Sequence, residues 1–303
     1  MTGPAQPRVI EAVTDAYSFA TADATIEQVR DGYDRSMARG GLPAGIAAAP
    51  GEVAGVPGTW LRPTPGADTP LGPTILFLHG GGYLFGSSRS HGPLAGNLAA
   101  AASAPVFVAD YRLAPEHPFP AALDDAVAVL RELTAREGAE NVVIAGDSAG
   151  GGLALATLLA ARERGHMLPR AAVALSPWAD LALNSPSVTE RADVDPLMTR
   201  EQLEANATGY LGDHDRLDPL VSPVYGDLSG LPPVYLQVGT AEILHDDTLR
   251  VADAIRAGGG QVRVDLQDGM PHVHQILLWR LPEAGTAISH IGQFINDLAI
   301  TTG

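Results

Sequence analysis

The chain has 303 residues, 19 Lys plus Arg against 35 Asp plus Glu, and a formal charge of −16; nucleic acids and anionic membrane surfaces, which demand clustered basic side chains, are therefore poor partners. It holds no lysine, which removes Schiff-base and P-loop lysine chemistry. Nor does it hold a cysteine, which removes disulfides, thiolate nucleophiles and Cys-ligated zinc but leaves the redox compartment open. A chain of this length can close one α/β domain with an accessory lid.

At the N-terminus, Pro4 and Pro7 interrupt any apolar core of a secretion signal, and no stretch has the length and apolarity of a bilayer span, so a soluble, cytoplasmic protein is expected. Residues 8–40 place Ile10, Val13 and Tyr17, then Ile26, Val29, Tyr33 and Met37, at helical spacing on polar segments, which predicts one or two helices. Residues 45–73 are rich in Gly and Pro, with strand-like fragments around Val53 and Trp60 that suit an antiparallel edge hairpin.

Residues 74–79 form a continuous apolar run that ends in His79-Gly80-Gly81-Gly82-Tyr83. This reads as a buried parallel strand opening into a loop that has no side chains for three residues. Such a loop lets backbone N–H groups approach a reacting oxygen, so in an acyl-transfer enzyme the Gly81 and Gly82 amides would form an oxyanion hole with the amide of Ala149. Tyr83, next along, is a candidate substrate contact. Residues 105–109 are the next strand. The proline-dense stretch through Glu116, His117, Pro118 and Pro120 reads as a fixed loop with a structural rather than catalytic role. Residues 121–137 form a helix with Leu123, Ala126, Val127, Leu130 and Leu133 on one face.

Residues 142–145 are β-branched and apolar, Gly146-Asp147-Ser148-Ala149-Gly150 follows, and residues 153–164 have the composition of a helix. This is strand, sharp turn, helix, and it fits the G-x-S-x-G pattern in which small neighbours let the backbone push a serine hydroxyl above the sheet. The alternation of strands and helices predicts a parallel sheet with crossover helices on both faces. Asp147 reads as a carboxylate that braces a loop.

Three motifs in this order, His79-Gly80-Gly81-Gly82, then Asp110-Tyr111-Arg112-Leu113-Ala114-Pro115-Glu116, then Gly146-Asp147-Ser148-Ala149-Gly150-Gly151, resemble the hormone-sensitive-lipase-like (family IV) bacterial carboxylesterases on the α/β-hydrolase fold. The resemblance runs from about Gly72 to the C-terminus and implies a mostly parallel sheet with a helical cap. It implies hydrolysis of short to medium acyl esters through an acyl-enzyme, without cofactor or metal, and homodimers paired through the sheet edge at residues 262–266. Lactones and amides would use the same groups. A non-catalytic ligand receptor on this fold is the rival from another class, and the presence of both Ser148 and His272 counts against it.

After the strand at residues 171–175, the polar and punctuated residues 184–215 carry a helical piece over 199–211. An insertion there would lie over the C-terminal strand ends, where such sheets bind ligands. Residues 1–45 and 184–215 are accordingly expected to form the cap, and 46–183 with 216–303 the core. Residues 234–239 form a strand with Glu242 just beyond it; residues 262–266 form the last, followed by Asp268-Gly269-Met270-Pro271-His272. The order serine, acid, histidine matches the fold's triad, with His272 as base and Glu242 as its partner. The family's acid is often an aspartate in Asp-Pro-Leu, so Asp246 and Asp247 stand as alternatives that also read as first-turn helix acids. The family's histidine is usually followed by Gly-Phe, so His274 stands as a rival base or as a pocket or surface residue. The remaining histidines, His91, His166, His214 and His290, show no paired metal-ligand spacing such as H-E-x-x-H.

Overall fold

The computed structural model describes residues 5–19, 23–64 and 72–300. Parts of the expected N-terminal cap (1–4 and 20–22) and of the Gly/Pro-rich stretch (65–71) lie outside the described residues. In chain order the elements are α1 (Pro7–Ala16), α2 (Ile26–Met37), β1 (Ile46–Val53), β2 (Val56–Pro63), β3 (Thr74–Leu78), α3 (Gly92–Ala102), β4 (Val106–Ala109), α4 (Ala121–Glu137) and β5 (Val142–Asp147). There follow α5 (Ala149–Glu163), β6 (Ala171–Leu175), α6 (Ser187–Glu190), α7 (Arg200–Leu211), β7 (Val234–Gly239), α8 (His245–Ala257), β8 (Val262–Gln267) and α9 (Pro282–Ile300).

The strands form one sheet in the order β1-β2-β4-β3-β5-β6-β7-β8. The β1–β2 hairpin is antiparallel and joins β4 antiparallel; from β4 to β8 every pairing is parallel. All residues of β3 to β7 are buried, because helices cover both faces, and this is why these strands read as unbroken apolar runs. The period of two still sorts their side chains. Leu76, Phe107, Ile144 and Leu236 meet α4, α5 and α8 on one face, whereas Phe77, Val108, Val143 and Val173 meet Leu94 and Leu98 of α3 and Ile288, Ile291 and Ile295 of α9 on the other.

The architecture agrees with the sequence-based expectation of an α/β-hydrolase fold, while α3 and α9 fall outside it. α3 is Ala- and Gly-rich and buried on most sides, so it has no amphipathic period to read. α9 does have one, through Ile288, Ile291 and Ile295, but it starts at a proline after an irregular run.

A third cluster positions the site. Val9, Val13, Tyr33 and Met37 of α1 and α2 pack on Met270, Val273, Ile276 and Leu277, so the N-terminal helices sit on the loop that carries His272. α2 is closed at its start by a capping box between Thr25 and Gln28. Ion pairs fix its flanks: Arg39 and Arg280 both hold Asp15, and Arg30 grips Glu116 through two hydrogen bonds of 2.7 and 2.8 Å. Replacing Met37, which is fully buried, by alanine is predicted to lower the unfolding free energy by roughly 2–5 kcal/mol in urea denaturation. A loss under about 0.5 kcal/mol would contradict this anchoring role.

Candidate active site

Ser148 sits between the end of β5 and the start of α5 at φ 53° and ψ −122°. A left-handed φ is costly for a residue with a Cβ, by about 1–3 kcal/mol, so the surroundings must enforce it. They do so by crowding. A Cβ at Gly146 would come within 2.3 Å of the Gly150 carbonyl oxygen, and one at Gly150 within 2.0 Å of the Leu78 carbonyl oxygen, so neither position tolerates even alanine. The turn is also tied to the end of β6: Ser148 N–H donates to Leu175 O at 2.8 Å, and Trp178 N–H donates to Ser148 O at 2.9 Å.

The structure brings Ser148, His272 and Glu242 together from three separate strand ends. The Ser148 hydroxyl lies 2.8 Å from His272 Nε2, and His272 Nδ1 lies 2.8 Å from Glu242 Oε2. A carboxylate only accepts, so Nδ1 carries the proton and Nε2 is free to receive one from the serine. Glu242 is fully buried, and its other oxygen accepts from Gly239 N–H at 2.6 Å and from the Ser176 hydroxyl at 2.8 Å. Ser176 also accepts from Val273 N–H at 3.2 Å, linking the acid to the histidine loop. Nothing in the sequence pattern singled Ser176 out; its position at the end of β6, level with the end of β7, is the signal that could have. Burial of the His272 ring works against its charged form, but the hydrogen bond and charge of Glu242, with the charges of Asp195 and Asp147, outweigh it and lift the imidazole above its ordinary value of 6.5.

Gly81 and Gly82 face the same cavity at φ 119° and 61°. A Cβ at Gly81 would meet the Phe85 carbonyl oxygen at 2.1 Å, and one at Gly82 would meet Asn206 Nδ2 at 2.4 Å. Among the described residues, neither amide donates to another backbone carbonyl, and the same holds for Ala149 at the head of α5. Three N–H groups are thus left for an incoming oxygen. Asp147 braces this loop as expected: it accepts from Gly80 N–H at 3.0 Å and lies 3.2 Å from His91 Nε2.

The rivals are placed elsewhere. Asp246 accepts from Ser187 N–H at 3.0 Å and lies 2.9 Å from His245 Nδ1. Asp247 is fully buried and accepts from the N–H groups of Ala179 and Asp180, both at 2.9 Å, and from the Ser185 hydroxyl. It therefore pins the loop after β6 rather than merely balancing a helix dipole, and burial pushes it up to about 7. His274 neither lines the pocket nor reaches the surface. It is fully buried, no hydrogen-bond partner is present for either ring nitrogen among the described residues, and burial pushes it down to about 4. Tyr83 also departs from its expected place. It is 2% exposed, does not line the cavity, and stacks on Tyr210 of α7 with ring centroids 3.8 Å apart, so it supports the glycine loop from behind.

The cavity itself measures about 270 Å³. Ser148, His272, Gly81 and Gly82 form its floor, and residues of the turn after α1, of α2 and of α7 form its walls. Among the described residues there is no group of three or more His, Asp or Glu arranged to hold a metal ion, and no helix is long and apolar enough to cross a membrane.

Comparison with known proteins agrees with this geometry. Residues 75–276 match a family described as having the alpha/beta hydrolase fold. An acetyl-hydrolase of Streptomyces hygroscopicus is 41% identical over 284 residues, which is 92% of each chain, and an esterase of Acinetobacter venetianus is 36% identical over 226 residues, 74% of this chain and 75% of that one. The crystal structure of an esterase from the bacterial hormone-sensitive lipase family superposes with a TM-score of 0.91 at 39% identity, covering 97% of this chain and 98% of the other. The chain belongs to the α/β-hydrolase family, within its hormone-sensitive-lipase-like branch of bacterial esterases. Its activity is that of a carboxylic ester hydrolase.

Removing the Ser176 hydroxyl leaves Glu242 Oε1 with a single donor. Ser176→Ala is predicted to lower kcat/KM for a 4-nitrophenyl ester by roughly 2- to 12-fold, the worth of one hydrogen bond. Unchanged kcat/KM in a folded variant would show that Glu242 is held without it.

Proposed function

We propose that Ser148, His272 and Glu242 carry out ester hydrolysis through an acyl-enzyme, with the amides of Gly81, Gly82 and Ala149 holding the oxyanion. The observation that carries this reading is the unbroken chain of two 2.8 Å hydrogen bonds, Glu242 to His272 to Ser148, opening into the cavity beside the glycine loop.

Ser148 Oγ attacks the ester carbonyl carbon while its proton passes to His272 Nε2. The carbonyl oxygen becomes an alkoxide and takes hydrogen bonds from the three amides; one such donor is typically worth about 10²–10³ in rate. The positive end of the α5 dipole adds to this. His272 then gives its proton to the departing alcohol oxygen as the C–O bond breaks, leaving acyl-Ser148. Water enters, gives a proton to His272 and attacks the acyl carbon, and collapse of the second tetrahedral adduct returns the proton to Ser148 and frees the carboxylic acid. Glu242 holds the Nδ1–H tautomer and stabilises the imidazolium in both halves.

Residues 1–45 and 184–215 act together as the cap in this reading, supported by the contributions of α2 and α7 to the cavity walls. A volume of about 270 Å³ suits short to medium acyl groups. Cytoplasmic residence and pairing of two copies along β8 belong to the same proposal. The first rests on the sequence reading and the second on family resemblance, with Leu266 on that edge 49% exposed.

Hydrolysis of 4-nitrophenyl esters from acetate to laurate, by the wild type and by Ser148→Ala, tests the assignment. The wild type is predicted to favour the shorter acyl chains and the variant to fall to the buffer rate. Retained turnover in Ser148→Ala would remove the serine from its role.

The pH profile tests the base. Only neutral His272 can accept the serine proton, and its pKa is raised, so kcat/KM is predicted to climb with pH through a midpoint above 6.5. Glu242→Gln withdraws the larger of the raising contributions and is predicted to move that midpoint down as well as reducing the rate. A wild-type midpoint below 6.5 would contradict the assignment of the base.

A further inference from the structure

Among the described residues the cavity walls contain no arginine, and the chain contains no lysine. Tyr17, Phe19, Tyr33 and Phe85 form one continuous aromatic wall: the Tyr17, Phe19 and Tyr33 centroids are 6.0–6.1 Å apart, and Phe85 meets Tyr33 edge-on at 4.9 Å. Asp147 lines the cavity, and two further carboxylates are bonded to residues that line it. Glu242 is hydrogen-bonded to His272, and Asp195 accepts from the N–H groups of Leu197, Met198 and Ile243, of which Leu197 and Met198 line the cavity.

Arginines near the cavity are engaged elsewhere, Arg200 at the head of α7 by the carbonyl of Leu183. Arg30 of α2 is taken up by Glu116 and by the carbonyls of Leu84 and Ala114, and Arg191 turns onto the carbonyl of Thr240. The interior field is accordingly negative. It leaves its mark on three lining groups: the Tyr17 and Tyr33 phenols are pushed up, by burial first and with a contribution from Asp147, and His272 is lifted with contributions from Glu242, Asp195 and Asp147.

We propose that this site selects its ester by charge, taking neutral and cationic substrates and rejecting those that carry a carboxylate or phosphate close to the ester bond. An anionic group beside the ester bond, once the glycine-loop amides are taken by the ester oxygen, meets no arginine or lysine among the described lining residues and loses its hydration beside the Asp147 carboxyl group. A cation finds the electron-rich faces and phenolic oxygens of the aromatic wall, and the carboxyl group of Asp147. The inference rests on the ester-hydrolase reading for its choice of substrates, but the selectivity belongs to the cavity and can be read without turnover.

Three acetate esters of nearly one shape provide the test: acetylcholine, 3,3-dimethylbutyl acetate and 4-acetoxy-2,2-dimethylbutanoate. Their dissociation constants are measured by calorimetry on Ser148→Ala, with wild-type hydrolysis of 4-nitrophenyl acetate run in parallel as a separate check on the chemistry. The cation is predicted to bind roughly 2- to 30-fold more tightly than its neutral isostere, and the anion roughly 10-fold or more weakly. Phe19→Leu, which keeps an apolar side chain but removes a ring, is predicted to narrow the cation-to-neutral ratio. Equal binding of the three esters, or tighter binding of the anion, overturns the proposal whatever the parallel assay gives. Loss of 4-nitrophenyl acetate hydrolysis with the binding order intact instead overturns the catalytic reading and leaves the charge selection standing.

Discussion

Ser148 is held at φ 53° by a backbone with no room to relax: carbonyl oxygens fill the space that a Cβ at Gly146 or Gly150 would need, and the serine's own N–H and C=O are bonded across to the end of β6 and beyond. The constraint directs the hydroxyl at His272 and places Ala149 at the head of α5. Strain of this kind persists only where neighbouring packing over-determines it. Here β5 is paired on both sides and wholly buried, so a distortion at its tip cannot spread into the sheet.

Acidic side chains organise the loops around that tip. Asp147 fastens the loop after β3, Glu242 the end of β7, Asp247 the loop after β6, and Asp195 the approach to α7, each by accepting backbone N–H groups. Asp180 joins them, fully buried, bonded to Arg250 at 2.6 Å and to the Tyr225 hydroxyl. Three strand ends and the approach to α7, with no regular hydrogen-bonding partners, thereby become a fixed surface. Part of the chain's acidic excess is used in this way.

The fold was legible because parallel strands buried on both faces write themselves as short apolar runs, and because Gly80-Gly81-Gly82 and the elbow around Ser148 stand at the ends of two of them. The contact of Glu242 with His272 was legible for a different reason: Glu242 stands just past a strand, and its neighbours Asp246 and Asp247 begin a helix. What pattern could not supply was the direction of a side chain. Tyr83 follows the glycine loop in sequence, yet the backbone there, at φ 66°, turns its ring away from the cavity onto Tyr210. His274 lies two residues from His272, but a left-handed Val273 intervenes and the ring goes into the core. Ser176 was invisible because its role depends on register between β6 and β7, where Leu175 pairs with Gln237. The aromatic wall was invisible too, since Tyr17 and Tyr33 read equally well as core positions of amphipathic helices.

The account stands on Ser148 being the one activated nucleophile, and covalent trapping reads that directly. Incubation with a dialkyl 4-nitrophenyl phosphate, followed by mass spectrometry of the intact chain and of its peptides, is predicted to give a single phosphoryl adduct on the peptide containing Ser148, suppressed in His272→Ala. An adduct on another residue, or equal labelling when His272 is absent, would contradict it.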